Sequence, residues 1–265
     1  MTDPIFGDPR LAAVYDALDA DRSDLEVYER IVVDELGARS ALDIGCGTGT
    51  FALMLAARGL QVTGVDPAAA SVAVARSKPG ADAVRWLVGT ADAQAADAAD
   101  ATDSADVAGA TGAPTGVDVV TMTANVAQVF LDDLEWHAVL VAAWRALRPG
   151  GMLVFESRRP ERRAWEEWTR EATRQVVDVP HEGSVEEWVQ VTDVDGQFVT
   201  FESPTVFHRD GTRIDSTTTL RFRPRAAIER SLRAAGFELV DVRDAPDRPG
   251  REWVYLAWRP ARPVG

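Results

Sequence analysis

The chain of 265 residues is 46% hydrophobic and 26% charged, the composition of an ordinary globular protein, and its length fits one domain with an elaboration. Its formal net charge of −14 argues against generic nucleic-acid binding, which needs clustered Lys and Arg; Lys78 is the one lysine. No apolar run approaches the ~20 residues that span a bilayer. The N-terminal "MTDPIFGDPR" lacks the basic-then-apolar pattern of a secretory signal, so a cytoplasmic location is expected.

Apolar residues at helical spacing (Leu25, Tyr28, Val32, Leu36) predict a helix over Leu25 to Leu36, with Gly37 as its stop. "SALDIG" reads as a first strand, and a glycine-rich turn leads from it into a helix through "TFALMLAARG". "LQVTGVD" is a second strand, and Pro67 suits the start of the helix that follows. "AVRWLVG", "VDVVTMT" and "MLVFES" supply three further strands, the last two separated by the helical "DDLEWHAVLVAAWRAL". Strands alternating with helices at this spacing predict a mostly parallel sheet with helices on both faces. "FELVDVRDA" and "REWVYLAWRP" close the chain as a pair of antiparallel strands after a helix ended by Gly236.

Two segments interrupt the alternation. Residues 91–116 are an acidic, Ala/Asp-rich low-complexity loop, read as solvated and given no chemistry beyond its first residues. Residues 157–223 begin with the helical-looking "RRPERRAWEEWTREATRQ". Three strand-like runs follow: "VEEWVQVTDV", "QFVTFESPTVFH" and "TRIDSTTTLRFR". Asp195-Gly196 and Asp210-Gly211 stand at their junctions as hairpin turns. In the third run Ile214, Leu220 and Phe222 are expected on one face and Arg213, Asp215 and Arg221 on the other. The segment is expected to form a helix and a small antiparallel β lid within a single domain spanning 1–265.

"LDIGCGTGTF" carries the strongest chemical signal. A helix that starts straight after such a turn offers free backbone N–H groups, and glycine lets a ligand approach them. The spacing G-x-G-x-G, with Asp43 two residues before the first glycine, differs from the G-x-G-x-x-G of dinucleotide sites. An acid at the loop entrance repels a pyrophosphate and attracts a cationic amine. Asp66, ending the second strand, suits a pair of ribose hydroxyls. An adenosine with an amino-acid tail, S-adenosylmethionine, answers both.

"ALDIGCGTGTFALMLAARG", "VTGVDPA", "VDVVTMTANVAQVF", "LRPGGMLVFE" and the closing helix-hairpin resemble a class I S-adenosylmethionine-dependent methyltransferase over essentially the whole chain, the acidic loop and lid excepted. The resemblance implies a Rossmann-like α/β fold with a seven-stranded sheet whose last strand is inserted antiparallel. It implies that Asp43 holds the methionine amino group directly or through water. Gly45, Gly47 and Gly49 would line the cofactor, and Asp66 would take the ribose hydroxyls. Cys46, Pro67, Thr123 and Asn125 belong to the same implied set. Where the family shows Gly-Asp-Ala after the third strand, this chain has "GTADAQ". Thr90 takes the usual acid position, and Asp92, with the Ala91 backbone, is the residue expected at the adenine.

Methyl transfer from a sulfonium is an in-line displacement that needs alignment and no metal; a base is needed only for a protonated nucleophile. Glu156, at the end of the fifth strand, and His181 and His208, in or beside the lid, are the candidates for that catalytic role. Asn125 and Gln128 follow the fourth strand, where the resemblance places residues near the methyl group. The expected acceptor is N or O of a small molecule, with no nucleic acid and no membrane as partner, in a monomer or a homodimer. A protein or peptide acceptor, a catalytically silent S-adenosylmethionine-binding protein and a nicotinamide dehydrogenase are the alternatives. The last lacks both the glycine spacing and a Tyr-x-x-x-Lys pair.

Overall fold

The computed structural model describes residues 7–91 and 116–261. Helix α1 (Pro9–Leu18) opens the fold, and Asp8 caps it by accepting hydrogen bonds from Arg10 N and Leu11 N. Helix α2 (Asp24–Arg30) continues into a π-helical turn, Ile31–Glu35, so the predicted helix over 25–36 is present with a widened last turn. Next come β1 (Ser40–Ile44), α3 (Thr50–Ala57), β2 (Gln61–Asp66), α4 (Ala69–Ser77) and β3 (Val84–Val88). After residues 92–115 follow β4 (Val117–Met122), α5 (Asp133–Ala146) and β5 (Leu147–Arg158).

Between β5 and helix α7 the chain forms seven short strands: β6 (Gln175–Val179), β7 (Gly183–Glu187), β8 (Gln190–Asp195), β9 (Phe198–Glu202), β10 (Thr205–Phe207), β11 (Thr212–Ile214) and β12 (Thr217–Arg221). A one-turn helix α6 (Arg170–Thr173) precedes them, and α7 (Arg225–Ala234), β13 (Glu238–Asp244) and β14 (Glu252–Trp258) follow. The main sheet has the order β13-β14-β5-β4-β1-β2-β3, and β14 runs antiparallel to both of its neighbours. This is the expected Rossmann-like sheet with its last strand inserted antiparallel.

Both faces of the sheet are covered because side chains alternate across it with the two-residue period of a strand. On β14, Val254 and Leu256 join the layer that holds Leu25, Val32, Phe51, Leu55 and Trp86. Tyr255 and Ala257 point into the opposite layer with Trp136, Leu140, Phe155 and Leu232. There Phe155 stacks on Tyr255 at 4.9 Å and meets Trp136 edge-on at 5.8 Å.

The inserted segment differs from expectation in two ways. In place of a helix over 158–175 the chain makes two 3-10 turns and the four-residue α6. Arg163 adopts a left-handed conformation (φ 46°), and the Trp168 carbonyl accepts a bond from Val191 N, so its backbone is committed to the sheet. Trp165 and Trp168 pack edge-on against Phe222 and Phe201, at 4.6 and 5.1 Å.

Each of the three predicted strand runs also turns a corner. β7/β8, β9/β10 and β11/β12 divide near Trp188, Pro204 and Asp215, and their halves enter two different sheets, β11-β10-β7-β6 and β12-β9-β8. Ile214 therefore packs near Val185 and Phe207, while Leu220 and Phe222 pack with Val199 in the other sheet; the single covered face predicted for that run is split. The turns at Asp195-Gly196 and Asp210-Gly211 are present, both glycines at positive φ.

Candidate functional site

The carboxyl ends of β1, β2, β3 and β4 meet at one edge of the sheet, where a cavity of about 510 Å³ opens. Asp43, Gly45, Gly47, Asp66, Ala91 and Thr123 are among the residues that line it. Cys46, Pro67 and Thr90 line it as well, so most of the expected cofactor set comes together.

The three loop glycines have different physical reasons. A Cβ on Gly45 would lie 2.6 Å from a Val126 methyl carbon, and one on Gly49 would lie 2.4 Å from the Trp86 ring and 2.8 Å from Ala75 Cβ. At these two positions the protein itself excludes a side chain, and Gly49 is absent from the cavity wall. The expectation that all three glycines make room for a ligand thus narrows. Gly47 has open space around it and a φ of +52°, and it faces the cavity.

Parallel register sets Asp43 beside Thr121 on β4, and the Thr121 hydroxyl donates to Asp43 Oδ1 at 2.8 Å. Burial pushes the Asp43 carboxyl up to about 7; the Thr121 bond works against this and the Asp66 charge adds to it. Asp66 accepts from Gly47 N at 2.9 Å with one oxygen and from Ala68 N at 2.8 Å with the other. Its pKa is also raised by burial, opposed by those two amide bonds. The carboxylate is thereby fixed at the cavity wall, with lone pairs left for a ligand. Cys46 is a free, buried thiol whose pKa burial pushes up, so it is not ionised as a nucleophile would be.

Ala124 and Asn125 follow β4 with positive φ, 56° and 61°, which is strained for Ala124. Asn125 N donates to Glu156 Oε1 at 2.5 Å and Asn125 Nδ2 to Glu252 Oε1 at 3.2 Å. Ala124 lines the cavity, whereas Asn125 and Glu156 are buried and are not among the residues that line it. Glu156 is 1% exposed; burial first, then Glu252, raises its pKa to about 8 against the pull of Asn125 N, Arg158 and Arg248.

His208 sits at the end of β10, half exposed, and its Nε2 pairs with Glu186 at 3.1 Å. His181 is exposed in the β6–β7 turn at φ 70°. Neither is among the residues that line the cavity. Asp92 lies outside the described residues.

Sequence reasoning missed the contribution of α1. Leu11 and Val14 pack against Val179, Val185 and Phe207 of the inserted sheet, while Ala12 and Tyr15 line the cavity. Asp16 ties the helix to the glycine loop: Thr48 Oγ1 donates to it at 2.6 Å and Lys78 Nζ approaches it at 2.5 Å. The signal was Asp8-Pro9 before Leu11, Val14 and Leu18, a helix cap followed by helical spacing.

The sheet order, the glycine loop and the two acids define the class I methyltransferase fold. Residues 41–151, from β1 into β5, match the family described as a methyltransferase domain. A ubiquinone biosynthesis O-methyltransferase of Idiomarina loihiensis is 31% identical over 132 residues, 50% of this chain and 47% of that protein. A putative methyltransferase of a Geobacillus species is 48% identical over 120 residues, 45% of this chain and 42% of its own. The matched stretch thus spans about half the length of these curated relatives or less. In three dimensions the chain is similar to the sugar N-methyltransferase KedS8 of a Streptoalloteichus species, with a TM-score of 0.66 and 20% identity over 93% of this chain and 91% of that one. Among the described residues no helix is long and apolar enough to cross a membrane.

Proposed function

We propose that this chain is an S-adenosylmethionine-dependent methyltransferase that transfers a methyl group to N or O of a small molecule. The observation that carries this reading is the pairing of Asp43 and Asp66 around the open backbone of Gly47 on one cavity wall. Both acids suit a ligand that is cationic at one end and carries a ribose at the other, and neither suits a pyrophosphate.

S-adenosylmethionine supplies, when bound, a methyl group activated by a sulfonium. In this reading Asp43 attracts the ammonium group, directly or through water, and the free lone pairs of Asp66 accept the ribose hydroxyls. The Ala91 backbone and Asp92 hold the adenine, Thr123 lines the cofactor, and Asn125 and Gln128 follow β4 on the side where the methyl group would lie. The protein's task is then alignment and exclusion of water. The two small sheets over 157–223 serve as a lid that also supports α1. The net charge of −14 supports a small acceptor over a nucleic acid, and a free, buried Cys46 accords with a cytoplasmic setting. Relatives named for O- and for N-methylation support both acceptor elements at this level. Incubation with S-adenosylmethionine and pooled small amines, alcohols and acids should release S-adenosylhomocysteine. Release only with protein or RNA acceptors would overturn the reading.

Asp43 also gives binding a proton signature. Between about pH 4 and pH 7 the folded chain keeps a proton on Asp43 that the unfolded chain has lost, so this group makes folding less favourable as pH rises through that window. An arriving ammonium lowers the pKa again. Binding near pH 7 should therefore release up to roughly half a proton, seen as a heat that varies with the buffer's ionisation enthalpy. A buffer-independent heat would contradict Asp43 as the ammonium partner.

A further inference from the structure

The amino-acid end of S-adenosylmethionine carries two opposite charges on one carbon, an ammonium and a carboxylate. Asp43 suits the first, and the second needs a partner of its own. Three acids, Asp43, Asp66 and Glu135, line the cavity and repel a carboxylate. Among the described residues on that wall there is one cation, Arg22.

Arg22 lies in the link between α1 and α2 and is fixed from several directions. Its carbonyl accepts from Leu25 N at 3.0 Å, and Leu25 itself lines the cavity. Arg22 Nε donates to Asp24 Oδ1 at 3.3 Å and lies 3.7 Å from Asp19 Oδ2. Asp24 is held in turn, its Oδ2 3.6 Å from Arg248 Nη2, while Arg248 Nη1 donates to Glu252 Oε1 at 3.2 Å. Burial works against the charge on Arg22, but Asp24 and Asp19 more than offset it and hold its pKa above the ordinary value.

This anchoring uses Nε alone. Nη1 and Nη2 make no hydrogen bond to a described residue, and neither is sealed off from accessible space. Together they form the flat edge of the guanidinium that matches the two oxygens of a carboxylate. The site thus offers a charged, pre-positioned pair of donors on a wall that is otherwise acidic.

We propose that Arg22 is the carboxylate arm of the cavity, holding the methionine carboxylate through Nη1 and Nη2 while Asp43 holds the ammonium. The proposal rests on the methyltransferase reading and deepens it. Two partners of opposite charge fix the direction in which the amino-acid chain enters, where one alone would leave it free to swing. They also make the cavity selective for a donor that keeps its carboxylate. Decarboxylated S-adenosylmethionine presents the same ammonium and sulfonium to the acids but leaves Arg22 without an anion.

The test is calorimetric titration of the full chain with S-adenosylmethionine and with its decarboxylated form. Arg22→Gln should lose roughly ten- to a hundred-fold in affinity for S-adenosylmethionine. It should keep or gain affinity for the decarboxylated form, which carries two positive charges and no anion. The ratio of the two affinities therefore shifts ten- to a hundred-fold between native chain and variant, and the retained binding reports an intact fold. Arg22→Lys keeps the charge without the paired edge and should shift the ratio part of the way; it carries the comparison if Arg22→Gln does not fold. A ratio that does not move would overturn the proposal. Equal losses would make Arg22 a support for the α1–α2 link, and no loss would pass the carboxylate to the amides that open α3. A native chain that binds neither ligand would instead contradict the methyltransferase reading.

Discussion

Replacing Asp66 by alanine is expected to weaken S-adenosylmethionine binding by about 1.5–3 kcal/mol, the usual worth of hydrogen bonds to a charged group. That corresponds to a loss of roughly ten- to a hundred-fold in affinity. Two losses combine here. The ribose hydroxyls lose their acceptor, and Gly47 N and Ala68 N lose the carboxylate that fixes the loop and the start of α4. Burial already penalises the ionised Asp66, and Gly47 lines the cavity, where water can take up its amide, so the fold should survive. Asp66→Asn separates the effects, since an amide oxygen still accepts one of the two bonds while the charge is gone. Calorimetric titration of both variants, with thermal unfolding as control, measures this. Unchanged affinity in Asp66→Ala would remove the ribose assignment.

Gly49→Ala is expected to cost far more in stability than in binding. A methyl there meets the Trp86 ring at 2.4 Å and Ala75 at 2.8 Å. Neither neighbour can yield cheaply, because the Trp86 indole donates to Ala81 O at 3.0 Å and Ala75 is buried in α4. Overpacking of about 1–3 kcal/mol adds to about 1–2 kcal/mol for a left-handed residue at φ +85°. The melting temperature should fall on the order of 10 °C. Gly47→Ala carries only the backbone part, having nothing within 4 Å. Its unfolding should change by about 1–2 kcal/mol, so most of its effect falls on ligand binding. Equal melting temperatures for the two variants would contradict the packing account of Gly49.

The contrast between these glycines marks where sequence reasoning stops. The spacing of Gly45, Gly47 and Gly49 identified the loop, but a sequence does not show that Val126 and Trp86 fill the space behind two of them. The alternating strands and helices were legible because each element carries its own period. The corners near Trp188, Pro204 and Asp215 were not, since two-residue alternation continues unbroken through a bend. Asp43 and Asp66 could be read from their places beside the loop. The Asn125–Glu252 bond joins residues 127 positions apart, and only the antiparallel insertion of β14 against β5 brings them together. Glu156 was recognised as a candidate, but its neighbours Glu252 and Arg248 were not, because they sit in a terminal hairpin that reads as structure alone. The same holds for Tyr15 and Asp16, whose helix earns its place in the site through the inserted sheet packed behind it.

The most direct test is calorimetric titration of the purified protein with S-adenosylmethionine, with NADH as the control. The paired acids and the open Gly47 backbone predict saturable one-to-one binding of S-adenosylmethionine and none of NADH. Binding of NADH, or of neither ligand, would contradict the claim that this cavity is built for an adenosine with a cationic tail.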